Sequence, residues 1–389
     1  MGNWRIWEND RQAIGGLVAF LVIFGTINVY SSSFVLGQTE FGDPLFFIKR
    51  HLISLIVGVL LLFIASRLDY HLLQGCSVVG FFAVLVALVL VFPLSPEING
   101  ARRWIPLGFF QLQPSELAKL VMIILEAAYL GNCLDRRVGV MLFNRPFFGA
   151  LVMAVLVERE PDGMTAVIIA GVPIVMMLVS TLKKETKLLM MSGLALGGTV
   201  VCLLQPYRMQ RIMSAFNPWK DMSNTGYQAV QSIAAIGSGG FWGTGLGVGI
   251  SKYQYLPEAH TDFAFAILCQ ENGFKLVFLI LLAFAAFAIF GARVAAQARD
   301  GMGMYLAAGI TFLISGQSLV NLFMVSGWFP VVGVPLPFIS YGGTSLVVTL
   351  VCVGILLNIS RQSDEARRFA VMKASAPPAG KNARLRRVK

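Results

Sequence analysis

Glu258, His260 and Asp262 put two carboxylates and an imidazole within five residues, directly ahead of an apolar run from about Phe263 to Ala292. Ionisable groups at a membrane boundary are costly, so they usually carry a task or a partner. The basic residue nearest to Asp262 in sequence, that histidine aside, is Lys252. A carboxylate near a membrane surface with few compensating charges is a natural general base, because desolvation lifts its pKa toward the working range. Each residue also has a plainer role. His260 reads first as a hydrogen-bonded loop organiser, and Asp262 as the N-cap of the helix that follows.

Two further segments concentrate polar residues. Arg102 and Arg103 precede Trp104, and Glu116 and Lys119 follow shortly after. The arginines suit an anionic headgroup or a diphosphate, since guanidinium binds phosphate oxygens in a bidentate way. Interfacial snorkelling beside a tryptophan explains them equally well. Glu116 and Lys119 stand i, i+3 and are expected to form a structural ion pair inside the membrane. Glu158, Glu160 and Asp162 surround Arg159 at a proline-started helix, where capping explains one acid and leaves Asp162 as a positioning group or cation ligand. Glu271 and Lys275 stand i, i+4 and are expected to pair, Glu126 has no obvious local partner, and Gln317 and Asn321 form a polar stripe that should face the bundle interior.

The elements that must hold these groups are membrane helices. The 389 residues are 56% hydrophobic and 13% charged, where a soluble domain would carry about a quarter charged. Apolar runs long enough for a hydrocarbon core of about 30 Å occur near 13–33, 46–66, 72–92, 114–134, 146–160, 163–182, 187–204, 263–292, 303–325 and 343–360. The expectation is an all-α polytopic membrane protein of about ten spans. Residues 1–12 form a cytoplasmic N-terminus, with the first span retained rather than cleaved, and 13–360 form one membrane domain. A large ordered extracytoplasmic loop, 205–262, separates spans seven and eight. With both termini inside, 20 of the 31 Lys and Arg residues fall on the cytoplasmic side, as positive-inside bias requires. The basic tail 361–389 is expected to be disordered and to meet membrane lipids rather than nucleic acid. The five cysteines show no CxxC or Cys/His spacing, so they read as small buried hydrophobes.

Several motifs occur together and in order: GARRWI (100–105), QPSELAKL (113–120), EPDGMTA (160–166), GYQAVQSIAAIGSGG (226–240), YLPEAHTDFAF (255–265) and PLPFISYGGTS (335–345). In these the chain closely resembles the SEDS family, the bacterial peptidoglycan polymerases FtsW, RodA and SpoVE. The likeness covers nearly everything except the tail. It implies a ten-helix glycosyltransferase that polymerises lipid II at the outer face of the cytoplasmic membrane. The family's essential aspartate falls on Asp262, which reverses the capping reading. Asp262 would deprotonate the acceptor 4-hydroxyl, which attacks the donor's anomeric carbon and expels undecaprenyl diphosphate. Arg102, Arg103, Arg208 and Arg211 become candidates to hold diphosphates, with Gln228, Glu258 and His260 beside them. Glu116, Lys119, Asp162, Glu271, Lys275 and Ser340 become supporting residues. A divalent cation, Mg or Mn, could share the charge stabilisation, but no motif fixes a metal site. The resemblance also implies a class B penicillin-binding protein as partner, the undecaprenyl-linked glycan as product, and the company of divisome proteins.

The chain departs from the pattern at Gly163-Met164, where many members have Leu-Gly, and at Gln270, where a glutamate is usual. NGARRWI and KYQYLPEAHTD lean toward the division and sporulation branch, while the elongation type stays open as the alternative. A lipid II flippase would need polar groups at midplane depth and two access states. A non-catalytic scaffold would tolerate any residue at 262.

Overall fold

The computed structural model describes residues 9–97, 100–108, 110–204, 206–222, 226–253 and 255–375; the side chains of 197–208, 370, 371 and 373–375 fall outside that description. Twelve helices and one hairpin account for most of it: α1 (Asp10–Phe41), α2 (Phe46–Arg67), α3 (His71–Leu94), β1 (Ile105–Leu107), β2 (Phe110–Leu112), α4 (Pro114–Asp135), α5 (Arg145–Arg159), α6 (Gly163–Val179), α7 (Lys184–Leu204), α8 (Pro206–Phe216), α9 (Tyr227–Gly239), α10 (Ala264–Ala296), α11 (Gly301–Val325) and α12 (Gly343–Ser375). Among the described residues, seven helices (α1 to α4 and α10 to α12) are long and apolar enough to cross a membrane, and α6 is a shorter apolar helix. With α5 and α7 they occupy the ten stretches read from the sequence.

Packing follows the rule for helices in lipid, with small residues where backbones meet and large apolar ones facing outward. A Cβ on Gly58 of α2 would lie 2.6 Å from Leu350 Cδ1, and one on Gly354 of α12 would lie 2.5 Å from the Leu62 carbonyl oxygen. These reciprocal close approaches lock α2 to α12. The outer flanks of α2 and α3 expose Ile56, Leu60, Phe63, Val79 and Phe82, the surface expected where acyl chains take the place of protein. One large core cluster joins α1, α4, α10, α11 and α12.

The structure corrects three expectations. First, α12 does not stop at 360 but continues as helix through Ser375, so only 376–389 of the expected disordered tail lies beyond the described residues. Second, α10 is two helices joined at Gly273 (φ 69°, ψ −178°). Such a break orphans carbonyls on one side and amides on the other, and the segment 240–245 satisfies both. Thr244 N–H donates to Gln270 O (2.9 Å), Gly245 N–H to Glu271 O (3.0 Å), and Phe274 N–H to Gly240 O (3.0 Å). The approach demands glycine twice: Gly243 (φ 83°) would push a Cβ to 2.2 Å from Glu271 O, and Gly273 would push one to 2.2 Å from Gly243 N.

Third, that break removes the i, i+4 register between Glu271 and Lys275. Glu271 instead pairs with Lys252 (Nζ–Oε1 2.7 Å), both buried, and accepts from Ser31 Oγ at 2.6 Å. Lys275 lies over the Trp242 ring at 4.7 Å. Gln270, the departure noted above, uses both ends of its amide. Its Oε1 accepts from Ser251 N–H (3.2 Å) and its Nε2 meets Ser238 Oγ (2.8 Å). The described part of the large loop carries α8 and α9, and Lys252 ties it to α10 by the buried ion pair and to α1 through Ser31 Oγ (3.0 Å). Glu126, without a local partner in sequence, receives Asn144 Nδ2 at 3.2 Å from the start of α5.

Candidate active site

Asp262 does not cap α10. The N-cap position is Phe263, with no side-chain capping bond. Instead the tight turn before it redirects the carboxyl. Glu258 adopts a left-handed conformation (φ 54°), and its carbonyl accepts from both Thr261 N–H (3.2 Å) and Phe263 N–H (3.1 Å). A non-glycine residue held there stores strain, a pattern that gathers at functional sites. The turn aims Asp262 into a cavity of about 350 Å³.

Six pieces of chain enclose that cavity. Arg50 and Ser54 come from α2, Arg103 and Trp104 from the segment after α3, and Gln113 and Glu116 from the start of α4. Asp162 and Thr165 come from the start of α6, Glu258, Thr261 and Asp262 from the turn, and Gly333, Pro335 and Tyr341 through Ser345 from the loop into α12. The N-termini of α4, α6 and α12 thus all open on it, and helix N-termini favour negative charge. Thr344 ties the α12 end to the hairpin, donating to Gln111 O (2.7 Å) and accepting from Gln113 N–H (3.0 Å).

Arg103 is fixed by the α5–α6 turn. Its Nε donates to Glu160 O at 3.2 Å and a terminal nitrogen donates to Pro161 O. Asp162 is buried, caps α6 through Thr165 N–H (3.3 Å) and accepts from Gln113 Nε2 (3.3 Å). Glu116 and Lys119 form the expected pair at 2.7 Å, both nearly inaccessible. Burial, with Glu258 and Asp162 adding to it, pushes the Asp262 carboxyl up to about 7, against the downward pull of Arg103 and Arg211. Burial also pushes Glu160 up to about 8.

The remaining sequence candidates fall outside this set. Arg102 is exposed and turns to Glu97 (3.6 Å) and the Phe92 carbonyl (3.3 Å). Arg211 donates to Val331 O at 2.7 Å, so it braces the loop behind Asp262 and acts on the carboxyl through its charge. The Arg208 side chain lies outside the described residues. Gln228 is half-buried on α9 and is not among the lining residues. His260 packs between Phe47 (4.7 Å) and Tyr341 (5.7 Å), its pKa lowered by burial, and its carbonyl accepts from Tyr341 N–H (2.9 Å). It organises the loop as a neutral ring. Ser340 closes the turn at 336–340, its Oγ accepting from Leu336 N–H (2.9 Å). Glu271 and Lys275 lie with the broken helix.

Sequence reasoning missed Arg50. It stacks on Phe46 at 4.2 Å, and a lone arginine at the end of an apolar span reads as snorkelling. Its signal was its proximity to His51 at the start of an apolar span, which counts for little without the fold. Among the described residues no three His, Cys, Asp or Glu side chains gather so as to hold a metal ion.

A cavity lined by Arg50 and Arg103, with a carboxyl pushed up to about 7, can take a proton from a hydroxyl beside an anionic leaving group. Residues 11–365 match the family of cell cycle proteins that comprises FtsW, RodA and SpoVE. The chain belongs to this family. Within the FtsW/RodA/SpoVE family it is 39% identical to stage V sporulation protein E of Bacillus subtilis, covering 89% of this chain and 96% of that protein. It is 38% identical to a probable peptidoglycan glycosyltransferase FtsW of Trichlorobacter lovleyi, over 92% of this chain and 94% of the relative. The rod shape determining protein RodA of Thermus thermophilus superposes with a TM-score of 0.67 at 26% identity, over 93% of this chain and 99% of that one. A chain from a structure describing polymerization and crosslinking by a peptidoglycan synthase complex gives a TM-score of 0.73 at 28% identity, over 92% and 99%.

Proposed function

We propose that this chain is a membrane glycosyltransferase that polymerises lipid II into glycan strands at the outer face of the cytoplasmic membrane. The observation that carries the reading is Asp262, recessed in a cavity faced by Arg50 and Arg103, with its carboxyl pushed up to about 7. A general base works best when its pKa lies near the operating pH. Asp262 takes the proton of the acceptor's sugar 4-hydroxyl as that oxygen bonds to the donor's anomeric carbon. The bond from that carbon to the diphosphate breaks, and undecaprenyl diphosphate leaves with the electron pair. Arg50, Arg103 and the three helix N-termini stabilise the phosphate charge.

Septal synthesis is the favoured setting, because several relatives of 37–39% identity carry the FtsW name. A class B penicillin-binding protein supplies the cross-linking chemistry, with both termini of the chain on the cytoplasmic side. A flippase would need unpaired polar groups along a path through the bilayer. Two buried acids are matched by lysines instead, Glu116 by Lys119 and Glu271 by Lys252, and the buried Glu126 meets the Asn144 amide.

The test is lipid II polymerisation by the purified full chain with its transpeptidase partner, comparing wild type with Asp262→Ala and Asp262→Asn. Strands from wild type and none from either variant, with folding and partner binding intact, support the reading. Full activity in both variants removes Asp262 as the base. No strands from any sample would move the assignment to the flippase or the scaffold.

A further inference from the structure

Three alternate carbonyls of the Asp262 segment are each caught by a donor from a different element. His260 O accepts from Tyr341 N–H (2.9 Å) in the loop before α12. Ala264 O accepts from Asn28 Nδ2 (2.9 Å) of α1. Asp262 O itself accepts from Asn321 Nδ2 (2.8 Å) of α11. Of these donors Asn321 is the one that reaches the aspartate's own peptide, and it is fully buried.

Asn321 also does a second thing. The same Nδ2 donates to Val334 O at 2.6 Å, fastening the loop that forms the cavity wall behind the carboxyl. That wall is close: a Cβ on Gly333 would lie 3.3 Å from Asp262 Oδ2. One turn earlier on α11, Gln317 Nε2 donates to Pro335 O (3.2 Å), and its Oε1 accepts from Lys119 Nζ (3.3 Å). The Glu116–Lys119 pair at the cavity floor is therefore continuous with this wall through two α11 amides spaced i, i+4.

We propose that Asn321 is a positioning residue for the polymerisation step: by bridging the Asp262 and Val334 carbonyls it fixes the depth and direction of the Asp262 carboxylate in the cavity. Two carbonyl oxygens converging on one site call for a side chain that donates two protons, and an amide NH2 does so. Aspartate has nearly the same shape but only acceptors when ionised, so it would repel both carbonyls. The proposal rests on Asp262 acting in the polymerase reading above.

The experiment compares wild type, Asn321→Ala, Asn321→Asp, Asn321→Gln and Asp262→Asn as full-length protein with the partner. It measures kcat, KM for lipid II, the pH profile, and thermal stability in detergent. A misplacement of about 1 Å can cost roughly 100-fold in rate. Asn321→Ala and Asn321→Asp are therefore expected to lose roughly 10- to 100-fold in kcat, with KM within about twofold and a displaced acidic limb. Asn321→Gln, which keeps the two donors, should recover part of the loss. Unchanged kcat in folded Asn321→Ala overturns the proposal, as does a loss that only follows falling thermal stability with no change in the pH profile. An inactive wild type would sink the polymerase reading instead. Whether Asn321 positions the Asp262 carboxyl would then be read by infrared titration, assigned by Asp262→Asn: a midpoint moved by Asn321→Ala supports the positioning, an unmoved one overturns it.

Discussion

The strongest consequence of the site is the dependence of rate on pH. Burial is the main reason the Asp262 carboxyl rises from 3.8 to about 7, and Glu258 is the next. A base is active when ionised. A carboxyl titrating near 7 is ionised in about 1% of molecules at pH 5 and about 10% at pH 6, whereas one at 3.8 would already be more than about 90% ionised at pH 5. The initial rate should therefore climb about 50-fold between pH 5 and pH 7 and level off above pH 8. Replacing Glu258 with glutamine removes a negative charge that disfavours the ionised form, so the whole limb should move to lower pH. The assay is glycan strand formation from labelled lipid II in detergent or vesicles, with the partner's transpeptidase blocked by a β-lactam. Solubility and partner binding are checked at each pH. A rate flat from pH 5 to pH 8 would refute the reasoning, and so would a limb that Glu258→Gln leaves in place.

Three other outcomes follow from the same geometry. Arg50→Ala should raise KM for lipid II about 10- to 100-fold, the value of a charge-assisted contact of about 1.5–3 kcal/mol, and steady-state kinetics would read it; an unchanged KM removes Arg50 from the site. Glu160 titrates at about 8 in the folded chain against an ordinary 4.5, so its contribution is full below about 4.5 and lost as pH rises through 8. The advantage of Glu160→Gln in thermal stability should grow from pH 5 to pH 9, with a ceiling of roughly 5 kcal/mol at about 1.4 kcal/mol per pH unit; parallel melting curves would contradict it. Lys252→Met leaves Glu271 buried without its ion partner and should cost about 3–5 kcal/mol, with part of the loss recovered when Glu271→Gln is added; melting in detergent would show a non-recovering pair to be wrong.

Much of the fold was legible because hydropathy reports spans directly: runs of apolar residues mark helices wherever the surroundings are lipid. What hydropathy cannot report is a break created by contact. Gly273 is one glycine inside an apolar run, and only the arrival of Gly243 and its neighbours makes it a joint. The partner of Glu271 likewise comes from Lys252, in another element of the chain, so local spacing named Lys275 instead. The extension of α12 to Ser375 was hidden for the opposite reason, since residues after 360 are polar and helical propensity is a weak signal against hydropathy. At the site, Asp262, Arg103, Asp162, Glu116 and Glu258 were all named from sequence and all line the cavity. Arg102 was named beside them, and its side chain turns out to Glu97. Adjacent residues in an irregular segment point different ways, and nothing in the sequence says which faces inward.

The cavity's walls are drawn from both ends of the molecule. Its earliest contributor is Arg50 on α2 and its latest is Ser345 on α12, two helices that the Gly58 and Gly354 contacts lock together. A chain made from its N-terminus onward can insert, bury its ion pairs and form most of its bundle while still lacking one side of its pocket. The pocket is therefore complete only once α12 has packed against α2, and a copy that stops before Tyr341 lacks the wall built from Tyr341 to Ser345.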